Sequence, residues 1–152
     1  MVKRVYIGFD HNGYKLASEI MEILISKDIG VNQPFDNENE TVDYPDICKK
    51  VCDCVLSDAQ SIGILICGTG IGMDMCANRI KGIRAVLAKG EDEAYYARRH
   101  EDANCLVLAS GYTDGKKKIL KTKNIENIIN TFIQTEFEAG RHIERVKKLD
   151  NV

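Results

Sequence analysis

Residues 62–72 read Ile-Gly-Ile-Leu-Ile-Cys-Gly-Thr-Gly-Ile-Gly. The run Ile62–Ile66 is too short for a helix and reads as a strand. It ends in a glycine-rich turn that opens onto a helix-period segment, Gly72–Arg79. Working outward, the same alternation recurs. Strands are expected at Arg4–Phe9, Ile29–Phe35, Ile83–Ala88 and Asn104–Ala109, with helices at Tyr14–Lys27, Tyr44–Leu56 and Asp92–His100. Strands alternating with helices are the mark of βαβ units wound into a parallel sheet, so the expected class is α/β with a five-stranded parallel sheet. In the first helix Leu16, Ile20, Ile23, Leu24 and Lys27 recur at helical spacing, opposite Glu19 and Glu22. The tail turns helical, with an apolar stripe Ile125, Ile128, Ile129, Phe132, Ile133 and a second helix over Arg141–Leu149 after Gly140.

A chain of 152 residues suits one domain, here 1–152, and can bury a core without staples. Its 21 Lys+Arg against 23 Asp+Glu give a formal net charge of −2. That balance gives no broad attraction for nucleic acid or anionic lipid, so neither is an expected partner. The six cysteines could be read as three disulfides. However, the first residues read as a strand rather than an export signal, and no run approaches the length needed to span a bilayer. A cytoplasmic protein with reduced thiols is the expectation.

In an open parallel sheet, ligands bind beyond the carboxyl ends of the strands. Asp10 and His11 follow the first strand there, and Cys67, Gly68, Thr69, Gly70, Ile71 and Gly72 follow the third. The amides of such a loop, with the positive end of the helix behind it, suit an anion; a tight turn needing glycine is the alternative. The spacing does not fit a dinucleotide fingerprint, and no Gly-Lys-Ser/Thr ending marks a P-loop. Cys67 sits where a helix N-terminus favours a thiolate, and could serve as nucleophile or base; otherwise it is a small buried hydrophobe. Cys48 and Cys52 share a helix face that Cys54 does not, without the spacing of a zinc site, and Cys76 and Cys105 read as core. His100 precedes the last strand and so belongs at the opposite sheet edge from Cys67. Either it is an ordinary helix-end histidine or a second chain completes the site. Arg141 and Arg145 lie one helical turn apart beside His142, as two forks for a phosphate or as a solvated basic helix end.

Seven segments together carry a resemblance: I-G-F-D-H at 7–11, V-D-Y-P at 42–45, I-L-I-C-G-T-G-I-G at 64–72, A-N at 77–78, G-I-R-A at 82–85, H-E-D-A-N at 100–104 and E-F-E-A-G-R-H at 136–142. In order, over nearly the whole chain, they resemble the ribose-5-phosphate isomerase B family, which includes galactose-6-phosphate and allose-6-phosphate isomerases. The resemblance implies a Rossmann-like three-layer α/β/α sandwich and a cofactor-free, metal-free aldose–ketose isomerase acting on a small phosphorylated sugar. It implies a homodimer or dimer of dimers, with the C-terminal helix on a partner subunit and sites between subunits. By similarity, Cys67 moves the proton between C1 and C2, and His100 of the other subunit assists ring opening. Asp10, His11 and Tyr44 contact substrate, and the loop from Gly68 through Thr69, Gly70 and Ile71 to Gly72 holds the cis-enediolate. Asp10 and Thr69 stand with Cys67 and His100 nearest the chemistry, and Glu101, Arg141 and Arg145 reach the substrate from the other side. Met73 stands where some members place a glutamate base, so the chain is of the cysteine type. Two departures stand out: Glu101 where the family has Asn, and Gly111 where it has a phosphate-binding Arg. A lysine-rich stretch with five lysines from Lys116 to Lys123 follows. One of Lys116, Lys117, Lys118, Lys121 or Lys123 is expected to supply the missing cation, although by charge alone the stretch reads as a solvated loop or hairpin. A non-catalytic partner chain and an isomerase of another aldose phosphate are the competing functional readings.

Overall fold

The computed structural model describes residues 2–35, 43–115, 118–119 and 121–152. Its parallel sheet is built from β1 (Arg4–Phe9), β2 (Gly30–Asn32), β3 (Ser61–Cys67), β4 (Ala85–Leu87) and β5 (Cys105–Ala109), in the order β2-β1-β3-β5-β4. Every residue of β3 is buried. A parallel strand covered on both faces reads as an unbroken apolar run, which is why residues 62–66 announce the fold.

The helices are α1 (Tyr14–Ser26), α2 (Tyr44–Ser57), α3 (Ile71–Ala77), α4 (Glu91–Glu101), α5 (Ile125–Gln134) and α6 (Ile143–Leu149). Leaving β1, the chain crosses to β2 on one side, then returns past β1 to β3. Right-handed crossovers in opposite directions put their helices on opposite faces. Accordingly α1, α4 and α5 pack together while α2 packs on α3, completing the three-layer sandwich. Helix α1 buries Leu16, Ala17, Ile20 and Leu24 at no more than 2% exposure, each large side chain contributing about 1.5–3 kcal/mol. Ile23 is only half-buried and Lys27 is exposed.

The elements differ from the sequence reading mainly at their ends. The expected strand Ile29–Phe35 contracts to Gly30–Asn32, since Pro34 has no amide to offer a ladder. Ile83–Ala88 contracts to Ala85–Leu87, because the Arg84 amide donates to the side chain of Asn104 at 2.8 Å rather than to a strand. Helix α3 stops two residues early. Asn78 Nδ2 donates to Asp74 O at 3.1 Å and to Ala85 O at 3.1 Å, while its Oδ1 accepts from Ala85 N at 2.9 Å, tying the helix end to β4. The tail helix expected over Arg141–Leu149 begins as a 3-10 turn, Gly140–His142. It is held to its own subunit by Arg84, whose Nη1 meets the Asp150 carboxylate at 2.9 Å, while Ile143 and Leu149 remain exposed. The lysine-rich stretch takes its hairpin form, β6 (Tyr112–Thr113) pairing antiparallel with β7 (Lys118–Ile119). Lys116 and Lys117 lie outside the described residues. Among the described residues, no helix is long and apolar enough to cross a membrane.

Candidate active site

The direction of winding reverses between β1 and β3, and there the carboxyl ends of the two strands open a crevice. A cleft of about 180 Å³ occupies it, lined by Asp10 after β1, by Cys67, Gly68, Thr69 and Gly72 around the glycine turn, and by Tyr44 at the start of α2. These six were expected from sequence. Asn12 and Tyr112 also line it and were not.

The thiol is held by the backbone. Gly70 N–H donates to Cys67 Sγ at 3.2 Å, which fixes the sulfur at the mouth of the glycine turn. Gly70 itself is left-handed at φ +77, and a side chain there would strike Leu87, so only glycine delivers that amide. The Ile71 amide donates to Thr69 Oγ1 at 3.2 Å. Two of the amides expected to face an anion are therefore committed within the loop. Asp10 Oδ1 accepts from the amides of Asn12 at 2.9 Å and Gly13 at 3.0 Å, fixing the turn into α1. His11 is exposed beside the cleft, its Nε2 3.1 Å from Asn12 Nδ2.

Other cysteines are built differently. All six are free thiols. Cys48 and Cys52 are fully buried with their sulfurs 3.9 Å apart. A hydrogen bond to Cys52 and burial raise the Cys48 thiol beyond any physiological titration, and a bond to Cys105 with burial does the same for Cys52. Cys76, expected in the core, is only half-buried, and desolvation pushes it up to about 11.

The remaining expected residues gather elsewhere. Cys67 pairs with Ala109 and Gly63 with Cys105, so Cys67 stands at the carboxyl end of the sheet while α4 delivers His100 to the amino end of β5. The four steps from Cys105 to Ala109 alone span about 13 Å. His100 stacks on His142, with centroids 4.4 Å apart and planes within 9°, and its other side meets Tyr96 at 5.1 Å. His142 is 3% exposed, and its Nδ1 is buried without a hydrogen-bond partner. Its Nε2 accepts from Arg141 Nε at 3.3 Å. Burial first, then His100 and Arg141, lower its pKa from 6.5. Donor atoms of His100, Glu138 and His142 lie within 4.8 Å of one another. In face-to-face rings the in-plane lone pairs run parallel, so the two imidazoles cannot converge on one metal ion without rotation. Glu101, Arg141 and Arg145 are exposed, Glu101 beside His100 in a groove of about 660 Å³ that ends at Leu149 and Val152. Among the lysines, Lys121 pairs with Glu19 at 2.5 Å, and Lys118 and Lys123 are exposed.

Comparison with known proteins places this geometry. The family model described as ribose/galactose isomerase matches residues 5–149. A relative from Rickettsia conorii, whose name gives a sugar phosphate isomerase and no particular sugar, is 41% identical over 145 residues, covering 95% of this chain and 96% of its own. The crystal structure of a ribose 5-phosphate isomerase from Thermotoga maritima superposes with a TM-score of 0.86 at 39% identity, covering 98% of both chains. That of ribose-5-phosphate isomerase B from Mycoplasma genitalium, with bound ribulose-5-phosphate, gives 0.83 at 37%, covering 97% of this chain and 94% of that one. Sequence and fold agree over nearly the full length: the chain belongs to the ribose/galactose isomerase family and is an aldose–ketose isomerase.

Proposed function

We propose that the chain interconverts ribose 5-phosphate and ribulose 5-phosphate without a cofactor, through a cis-enediolate, with Cys67 as the base. The observation that carries this is the Gly70 amide on Cys67 Sγ, inside a cleft that also holds Asp10, Thr69 and Tyr44. A thiolate takes the proton from C2 of the open-chain aldose, the electron pair forms the enediolate, and the same proton returns to C1. Groups aimed at the oxygen that becomes negative lower that barrier. Asp10 Oδ2 and the Tyr44 phenol are placed to bind sugar hydroxyls.

Among the described residues, no imidazole or guanidinium lines the Cys67 cleft. His100, Glu101, Arg141 and Arg145 therefore serve the site from a second copy of this chain, across a homodimer or dimer-of-dimers interface. There His100 protonates the ring oxygen as the furanose opens, and the two arginines bind the phosphate. Glu101 brings a carboxylate towards that phosphate, which costs affinity unless a cation offsets it. We assign that cation to a lysine of the 116–123 stretch, in which Lys118 and Lys123 are exposed. Glu101 and Gly111 also favour a second reading, a chain that has given up catalysis within a mixed oligomer. Incubating the pure chain with pentose, tetrose and hexose phosphates, beside Cys67→Ala, separates the readings. Conversion abolished by the substitution is the expected result, while conversion that survives it removes Cys67 as the base. A folded oligomer inactive on the whole panel would support the partner reading.

A further inference from the structure

Tyr112, just after β5, lines the Cys67 cleft and has no role in the isomerase reading. Gly111 before it lies at φ +96, the left-handed region that favours glycine. That turn sends the chain into the β6–β7 ribbon and sets Tyr112 down on the catalytic loop. Ser110 N–H donates to Cys67 O at 3.0 Å, and Gly111 N–H to Gly68 O at 3.0 Å, so the approach to Tyr112 rides on the loop itself. A Cβ built on Gly68 would lie 3.1 Å from Tyr112 Cβ and 3.2 Å from its Cδ2, and one on Gly72 would lie 2.9 Å from the Tyr44 ring. Two phenols thus bracket the loop, Tyr112 over its first glycine and Tyr44 over its last. Both keep two-fifths of their surface open and line the Cys67 cleft.

The geometry points to Tyr112 as a specificity-determining residue of the isomerase, the wall that limits how long a sugar phosphate can lie along the loop. An aromatic face packs against the C–H groups of a sugar, and the ribbon fixes it at one distance from Cys67. A substrate one carbon longer must displace either ring.

This rests on the isomerase reading, and the test keeps the two apart. The ratio of kcat/KM for an aldohexose 6-phosphate to that for ribose 5-phosphate is measured in the wild type and in Tyr112→Ala, Tyr112→Phe and Tyr112→Trp. Tyr112→Ala should raise the ratio by about tenfold or more, the size of effect one carbon has in a fitted pocket. Tyr112→Phe keeps the wall and should leave it within about twofold, and Tyr112→Trp should lower it. If Tyr112→Ala does not fold, the Phe and Trp variants decide. A wild type active on ribose 5-phosphate, with a ratio that no variant moves, overturns the inference alone. A wild type inactive on every aldose phosphate overturns the reading beneath it as well.

Discussion

The two edges of the sheet hold their reactive groups by different means. At the carboxyl edge, Cys67 and Asp10 are fixed by backbone amides, those of Gly70, Asn12 and Gly13, and among the described residues no cation lines the cleft. At the amino edge, His100 is held by rings, stacked on His142 and flanked by Tyr96, and Arg141 donates to His142. Backbone donors are rigid and suit a group that must meet a particular C–H. Long basic side chains suit a phosphate that arrives and leaves. Among the described residues, neither edge alone has a base, an acid and an anion site, which is the physical argument for joining them across two copies.

The sharpest way to break that comparison is complementation. Cys67→Ala and His100→Ala should each lower kcat, by about 10²–10⁴-fold for loss of a proton-transferring group. Mixing the two inactive chains under subunit exchange should restore about a quarter of the sites, since one of the two sites in each mixed dimer is then intact. Activity that stays at the level of either parent would show that each copy works alone. Gly70→Ala should come next. A side chain at φ +77 pressing on Leu87 costs about 1–3 kcal/mol, and the amide leaves Cys67. Lower thermal stability together with slower alkylation of Cys67 is the expected pair; a loss of stability alone would detach the amide from the thiol's reactivity. Arg141→Gln and Arg145→Gln should each raise KM about tenfold with little change in kcat, as expected for losing one fork on a phosphate. An equal fall in kcat would assign them to the chemistry instead.

The smallest expected effect is acid sensitivity at the amino edge. Burial, His100, Arg141 and Arg145 disfavour protonated His142, and Glu138 favours it, with a net lowering from 6.5. A lowered histidine contributes no pH dependence above 6.5. As pH falls below it, the unfolded chain takes the proton first, and stability declines until the folded form also titrates. The wild type should therefore lose melting temperature between pH 7 and pH 5 more steeply than His142→Asn, as calorimetry would show. Parallel slopes would mean that the stacked imidazole does not govern this edge.

Much of this was legible in the residues. Helix α1 kept its apolar face because Leu16, Ile20 and Leu24 obey a local period, and β3 read as a strand because all its side chains are buried. Asn12 and Tyr112 escaped notice for the opposite reason. Asn12 sits in a turn whose form Asp10 Oδ1 decides, and Tyr112 reaches the cleft only after the chain turns at Gly111 onto Gly68. Neither position has a period, and the contact that gives Tyr112 its meaning comes from a distant segment. His142 was noticed only as a neighbour of the arginines, while its stack on His100 joins residues 42 positions apart.

By itself, the sequence determined the α/β alternation, the thiol at a strand end and the glycines behind it, because burial periodicity and backbone freedom are properties of a few consecutive residues. The tertiary structure alone decided that His100 stacks on His142, that the Gly70 amide lands on sulfur and that two tyrosines bracket the loop. Those depend on strand order and crossover direction. Both are set by how separate segments bury their faces against one another, and no local pattern encodes that distance.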